Sequence, residues 1–404
     1  MRQRRDAAIA GQRGNPDDMA NLETRLEAAI DAALDAAIAG GRIVGAVVRV
    51  SLDGSAIYGR AAGYADREAG TRLREDAIFR LASMSKAMVA STALALTERG
   101  KMSLDDPVTR FLPDFRPKLA DGRTPDILIR HLLTHTSGLT YRFVQRPGHG
   151  YDRANVSDGM DQPGLSMEEN LRRIASVPLE FAPGTAWGYS MSMDVLGAAI
   201  AVAHGGALAD AVAAYVTVPL GLADTGFAIA DTARLATPYA DGNPPIRMTG
   251  TERVTRPEDP ETYILLTAER VFEPRSFQSG GAGMNGTAAD YMRFMETLRS
   301  GGAPMLKAET VAMASRNQIG ALPRDPKDAG LRNGFFGGLV DDPVAAKTPQ
   351  SAGTLTFGGA WGHSGFVDRA RGLSVVSLTN TALEGVGGPF PANLRDAIYA
   401  GLGA

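Results

Sequence analysis

The chain has 404 residues, 42 Lys+Arg against 45 Asp+Glu, a net charge of −3, and 44% hydrophobic and 22% charged residues. That balance excludes a disordered or collagen-like chain and offers no basic excess for nucleic acid. No cysteine is present, which removes disulfide frameworks, thiolate metal sites and cysteine nucleophiles.

The first residues, Met1-Arg2-Gln3-Arg4-Arg5, are basic. The stretch after them is broken by Arg13 and runs into Asp17-Asp18, so it lacks the apolar core of a signal peptide. Residues 1–20 read as a flexible arm. The apolar run at 196–203 is far short of the roughly 20 residues a membrane span needs. The expectation is a soluble, cytoplasmic protein with no membrane partner.

Leu26, Ile30, Leu34 and Ile38 recur every fourth residue over 22–39, an amphipathic helix stopped by Gly40-Gly41. Two β-prone runs, 43–50 and 56–64, flank Leu52-Asp53-Gly54-Ser55 and predict a hairpin. Residues 87–99 form a helix ending at Gly100. The middle, 105–275, is broken by prolines into short elements, with several helical stretches and few strand runs. A helix covers 287–299, with Thr287 and Asp290 placed as a capping box. Runs 362–368 and 373–380 flank Arg369-Ala370-Arg371-Gly372 as a second hairpin, and a helix over 393–402 closes the chain. Hairpin strands pair antiparallel, so both hairpins can share one sheet only if the middle is an excursion from it. The order therefore predicts an α/β domain from both chain ends, 21–104 and 276–404, with a mostly helical domain, 105–275, inserted.

Several patterns are decoys. Gly281-Ala282-Gly283-Met284-Asn285-Gly286 matches G-x-G-x-x-G, but no Val/Ile-rich strand precedes it, so it reads as a tight turn into a helix. His131 and His135 have the i, i+4 spacing of metal ligands but no acid or third ligand nearby, and a structural role fits them better. No metal or cofactor is expected. The nucleophile elbow G-x-S-x-G is absent. Lys347-Thr348-Pro349 imitates a K-T-G box without its glycine, in a polar loop.

Ser83 and Lys86 in Leu81-Ala82-Ser83-Met84-Ser85-Lys86 are three residues apart at a helix start, on one face. A serine hydroxyl is a weak nucleophile until a base takes its proton. Desolvation disfavours an ammonium, so a buried amine can serve. Helix-start N–H groups and the dipole favour an oxyanion there. A serine cap beside a solvated lysine fits the same spacing, although flanking Phe79, Leu81, Met88 and Val89 argue for burial. Tyr189 follows a Pro183-Gly184 turn and precedes an apolar helix; alone, it reads as a core tyrosine. The third element is Trp361-Gly362-His363-Ser364-Gly365-Phe366, where a strand edge can offer a backbone N–H and Gly365 permits close approach.

Together, in this order, these elements resemble the serine β-lactamase and penicillin-binding-protein superfamily, and most of all its family VIII carboxylesterases. The likeness runs from about residue 22 to 402 and includes 79–86, 129–139, 279–294 and 362–380. It implies an α+β, β-lactamase/transpeptidase-like fold: an antiparallel sheet flanked by helices, plus a helical domain, with the site between them. It implies Ser83 as nucleophile, Lys86 as its base, Tyr189 as a second proton-relay group, and the N–H groups of Ser83 and Phe366 as an oxyanion hole. Two departures stand out. The Y-x-N pattern reads Tyr189-Ser190-Met191, and the K-T-G box is matched to His363-Ser364-Gly365. Both weaken binding of an anionic β-lactam and leave ester cleavage intact. Trp361, His363, Ser364, Gly365, Tyr141 and Phe143 are the expected substrate-binding residues. The expected partner is a small-molecule ester. Acyltransferase, amidase or weak β-lactamase chemistry at the same site, or a non-catalytic penicillin-binding-like module, are the alternatives.

Overall fold

The computed structural model describes residues 16–256, 259–324 and 328–403. In chain order the elements that matter here are helix α1 (Pro16–Ala39), strands β1 (Gly45–Leu52), β2 (Ser55–Asp66), β3 (Thr71–Arg72) and β4 (Phe79–Arg80), and helices α2 (Ser85–Glu98), α3 (Ile129–Thr134) and α4 (Ser192–His204). They continue with β5 (Thr251–Arg256), β6 (Asp259–Thr267), β7 (Asn285–Gly286), α5 (Ala288–Arg299), β8 (Leu331–Asn333), β9 (Gly338–Val340), β10 (Leu355–Gly359), β11 (His363–Asp368), β12 (Leu373–Thr379) and α6 (Pro389–Gly401).

Eight strands form one antiparallel sheet in the order β8-β9-β10-β11-β12-β1-β2-β3. Both expected hairpins lie in it, joined where β1 pairs with β12 from Ala46↔Thr379 to Leu52↔Leu373. The first turn is tight because Asp53 (φ +50°) and Gly54 (φ +86°) both adopt the left-handed conformation that suits two-residue hairpin loops.

Period-two alternation splits the sheet's residues between two layers. Ala46, Val48, Val50, Leu373 and Val375 face α1 and α6, against Leu26, Ile30, Leu34, Phe390, Leu394 and Ile398. Val47, Val376 and Leu378 face the larger core, which includes Tyr291, Phe294, Met295 and Leu298 of α5. Those four recur at i, i+3, i+4 and i+7, the stripe of a helix lying on a sheet. Helix α2 is different: residues 85–96 are all buried, as expected for a helix enclosed on every side.

Three readings change. Helix α1 starts at Pro16, where a proline at the first helical position loses no hydrogen bond. The arm expected over 1–20 otherwise falls on 1–15, outside the described residues. The middle contains the β5–β6 hairpin, with Thr262, Ile264 and Leu266 alternating inward. At α5, Thr287 caps the N–H of Asp290, but the Asp290 carboxylate accepts from Asp224 N–H and Thr225 Oγ1 instead of closing a box. No single described helix is long and apolar enough to cross a membrane.

Candidate active site

Ser83 sits in a 3₁₀ turn, Ala82–Met84, that runs directly into α2. Ala82, just before it, holds φ +45°, a strained conformation for a residue with a side chain. Lys86 Nζ donates to Ser83 Oγ at 2.9 Å, and Tyr189 OH donates to the same oxygen at 2.8 Å. The three side chains singled out by motif therefore meet at one atom, though 106 positions separate Tyr189 from Ser83. Lys86 is 8% exposed and also donates to the Gly281 carbonyl at 2.7 Å. Its Nζ lies 4.9 Å from the Tyr189 ring centre and 5.4 Å from that of Tyr141.

The surroundings hold each group in place. Tyr189 packs against His135 and Tyr141, at ring separations of 4.8 and 5.1 Å. His135 ends α3 at φ +58°, and the two rings take separate partners, His131 Nδ1 accepting from Leu128 N–H within the helix start. The carbonyl of His135 accepts from Gly188 N–H and its Nδ1 from Ser190 N–H, so His135 clasps the backbone on both sides of Tyr189. Burial, with the charges of Lys86 and Arg324, drives His135 well below the usual histidine pKa and keeps the ring neutral. Burial, reinforced by Tyr189 and the carboxylates of Asp194 and Asp158, holds the Tyr141 phenol well above its ordinary range.

Behind Lys86, the loop 279–283 is tied to α4. Ser279 Oγ donates to Asp194 Oδ1 at 2.5 Å and accepts from Ala282 N–H at 2.9 Å. A Cβ at Gly281 would lie 2.5 Å from Asp194 Oδ2 and 2.9 Å from Tyr141 OH. Gly281 of the G-x-G-x-x-G look-alike thus allows this close approach while its carbonyl holds Lys86.

The third sequence element lies elsewhere. A cavity of about 990 Å³ opens on Ser83, Lys86 and Tyr189, and its lining includes residues of β8 and β9 and the run from Thr356 to Ala360 of β10 and its extension. A Cβ on Gly359 would be 2.5 Å from Leu81 O, so β10 lies directly against the Ser83 turn. Phe366 is on β11, the next strand of the sheet, and its ring stacks on Tyr399 in the α1/α6 layer. The matched motif therefore sits on β11, one strand from the edge that meets the Ser83 turn. Ser364, Gly365 and Phe366 line a smaller cavity of about 260 Å³, away from Ser83.

His363 is fully buried, and burial pushes its pKa down to about 4. The neutral ring puts Nε2 2.8 Å from the Arg80 carbonyl, which can only accept, so Nε2 carries the proton. His363 thus supports the approach to the Ser83 turn and does not present a cation to substrate. Trp361 packs under Arg80, 5.5 Å from the guanidinium, and lines a different cavity. Tyr141 and Phe143 stack at 4.6 Å beside Tyr189; Phe143 lines the large cavity, whereas Tyr141 is not among its lining residues. Sequence reasoning missed Trp187, Phe181, Phe335, Phe336 and Phe357 of that lining. Only Trp187, two residues before Tyr189, carried a signal by position.

The chain matches the family model described as Beta-lactamase over residues 27–398. It is 51% identical over 360 residues to Esterase EstB of Burkholderia gladioli, covering 89% of this chain and 91% of that one. It is 30% identical to Acyltransferase calJ of Penicillium decumbens, covering 87% and 86%. The solved structure of "EstCE1, a hydrolase with promiscuous acyltransferase activity" superposes with a TM-score of 0.89 at 40% identity, covering 93% of this chain and 99% of that one. The likeness to the family model and to these relatives runs along nearly the whole length, and the chain belongs to the β-lactamase family.

Proposed function

We propose that this chain is a serine hydrolase that cleaves carboxylic esters through an acyl-enzyme on Ser83. The observation that carries the reading is the single oxygen, Ser83 Oγ, within 2.9 Å of both Lys86 Nζ and Tyr189 OH. Ser83 Oγ attacks the ester carbonyl, and its proton passes to the Lys86–Tyr189 pair. The oxyanion is met by the N–H of Ser83 and, in place of Phe366, by that of Ala360. Ala360 lines the cavity and follows Gly359, whose pair with His363 ends the β10–β11 ladder. Collapse breaks the bond to the alcohol, which leaves with the proton held by the pair. Water then gives a proton to the pair, attacks the acyl carbon and releases the carboxylic acid, and the proton returns to Ser83.

The cavity favours apolar esters, because Phe143, Phe181, Trp187, Phe335, Phe336 and Phe357 line it. The strand beside Ser83 reads Thr356-Phe357-Gly358-Gly359 and carries no lysine to fix a β-lactam carboxylate. The expected outcome is rapid turnover of p-nitrophenyl butyrate and cephalosporin turnover at least about tenfold slower. Ser83→Ala should lower ester kcat by more than about 10³-fold and abolish labelling by a fluorophosphonate. Undiminished turnover by that variant overturns the mechanism, and intact Ser83 that never labels favours a non-catalytic module. An alcohol can replace water as acyl acceptor. The breadth of the cavity and the acyltransferase relatives support that second reading, which product analysis with an added alcohol tests.

A further inference from the structure

A second cavity, of about 440 Å³, shares no lining residue with the Ser83 cavity and lies against residues 282–285 of the loop whose Gly281 carbonyl holds Lys86. Two arginines line it. Arg80 donates to the Ala268 carbonyl at 2.9 and 3.2 Å and to the Ala236 carbonyl at 3.1 Å. Arg270 donates to the carbonyls of Asp161 at 3.0 Å and Phe277 at 2.8 Å. Neither is ion-paired to a carboxylate among the described residues. Each guanidinium has five N–H donors, so both keep donors beyond these bonds. Burial lowers the pKa of Arg80 to about 10 and lowers that of Arg270 as well, and both stay charged at neutral pH.

The third polar group is Asn285, 1% exposed, whose Nδ2 has no hydrogen-bond partner among the described residues. Asn285 lies directly opposite Arg80 in the β4–β7 pair, so the two side chains leave the ribbon on the same face. An unpartnered buried amide is costly unless something completes it. The remaining walls are largely apolar, Trp361, Phe227 and Phe277 among them. Glu273 also lines the cavity, but Arg275 holds its carboxylate at 2.8 and 3.0 Å. Two guanidiniums and an amide N–H beside aromatic walls match one ligand chemistry: a single carboxylate on a short hydrocarbon chain.

We propose that this second cavity binds the carboxylate of a small aliphatic acid through Arg80, Arg270 and Asn285, with the hydrocarbon chain against Trp361 and Phe277. Such an acid belongs to the product class of ester hydrolysis, but the site stands on its own geometry and does not require Ser83 to react.

The chain has 2 tryptophans, one in each cavity, which makes the test direct. Sodium hexanoate is titrated into two single-tryptophan proteins, Trp187→Phe and Trp361→Phe. The expected result is a saturable change in Trp361 emission in the Trp187→Phe protein, with hexanamide giving none. Adding Asn285→Leu should weaken hexanoate at least about tenfold, the loss expected for one charge-assisted hydrogen bond. The amide has no partner to lose, so its replacement should leave the melting temperature close to the parent's. Trp361 emission that ignores hexanoate, or answers hexanamide equally, overturns the proposal. So does a response confined to the Trp361→Phe protein, which would place the acid in the Ser83 cavity. The hexanamide comparison needs no substitution among the three proposed binding residues, so it decides even where Asn285→Leu folds poorly.

Discussion

Asp194 makes no hydrogen bond to Ser83, Lys86 or Tyr189, yet it governs where the lysine stands. It anchors Ser279, Ser279 anchors Ala282 N–H, and the loop between them offers Gly281 O to Lys86. Removing one hydroxyl from that chain should move the amine by a fraction of an ångström and leave the apolar lining intact. Ser279→Ala is therefore expected to lower kcat about 10- to 100-fold with little change in KM, and Ser279→Thr to recover part of it. A change in KM alone would show that the loop shapes binding instead. His363 gives a residue-scale prediction of another kind. Its folded-state pKa of about 4 lies below the unfolded value of about 6.5, so the unfolded chain takes up the proton first as pH falls. Its contribution to stability is complete above about pH 6.5, declines toward pH 4 and levels off below, a loss of at most ~3 kcal/mol. Urea unfolding between pH 7 and 4 should show that decline, and His363→Gln should flatten it. An unchanged slope in the variant would mean that other groups carry the acid limb. At this scale Ser83 and Lys86 were legible because i, i+3 on a helix is a local relation. Tyr189 was legible only through the family resemblance, since nothing in its own neighbourhood distinguishes it from a core tyrosine.

The elements that sequence located well carry either a one-face period or β-prone runs around a turn. Helices α1 and α5 each bury one face, whereas β1, β11 and β12 are covered on both sides and were marked by their turns, and the boundaries of all of them fall within a few residues of expectation apart from the early start of α1. Strands β8 and β9 have three residues each, too few for a period of two to show. Strand β5 reads Thr-Glu-Arg-Val-Thr-Arg, polar enough to hide beside β6. The misplaced third motif has the same root: two adjacent glycine-bearing strands resemble one another, and only three-dimensional contact tells which one meets Ser83. That contact is the approach of Gly359 to Leu81 O, and it can be tested. In Gly359→Ala the new methyl would lie 2.5 Å from a backbone oxygen, so either β10 or the Ser83 turn must shift. A displacement near an ångström at the reacting groups is expected to cost about 10²-fold in kcat. Gly365→Ala, on β11, is the matched control: its methyl would meet Val375 O at 2.9 Å and the Met295 side chain at 3.5 Å. Stability should fall in both, but the large loss of turnover should belong to Gly359→Ala. Equal losses would return the catalytic edge to β11.

Across the whole molecule the sheet separates two jobs. One face carries α1 and α6, whose packing closes the chain ends over β1, β11 and β12. The other face meets the larger core, which includes the Ser83 turn, α2 and α5, and Tyr291 of α5 donates to the Met84 carbonyl beside the nucleophile. Hydrophobic burial on the first face sustains the fold without touching the reacting groups. Ile30 lies at the centre of that face, 0% exposed between Leu26 and Leu34. Ile30→Ala removes buried methyl groups and leaves a cavity, a cost of about 2–5 kcal/mol. The expected outcome is a clearly lower melting temperature, with kcat/KM for p-nitrophenyl butyrate at 25 °C unchanged within about twofold for the protein that stays folded. Phe294→Ala, on the inner face beside Tyr291, should cost about 3–5 kcal/mol and lower kcat/KM as well, because α5 supports the Ser83 turn. If the two substitutions impair turnover equally once the folded fraction is measured, the sheet does not insulate the site from its outer layer.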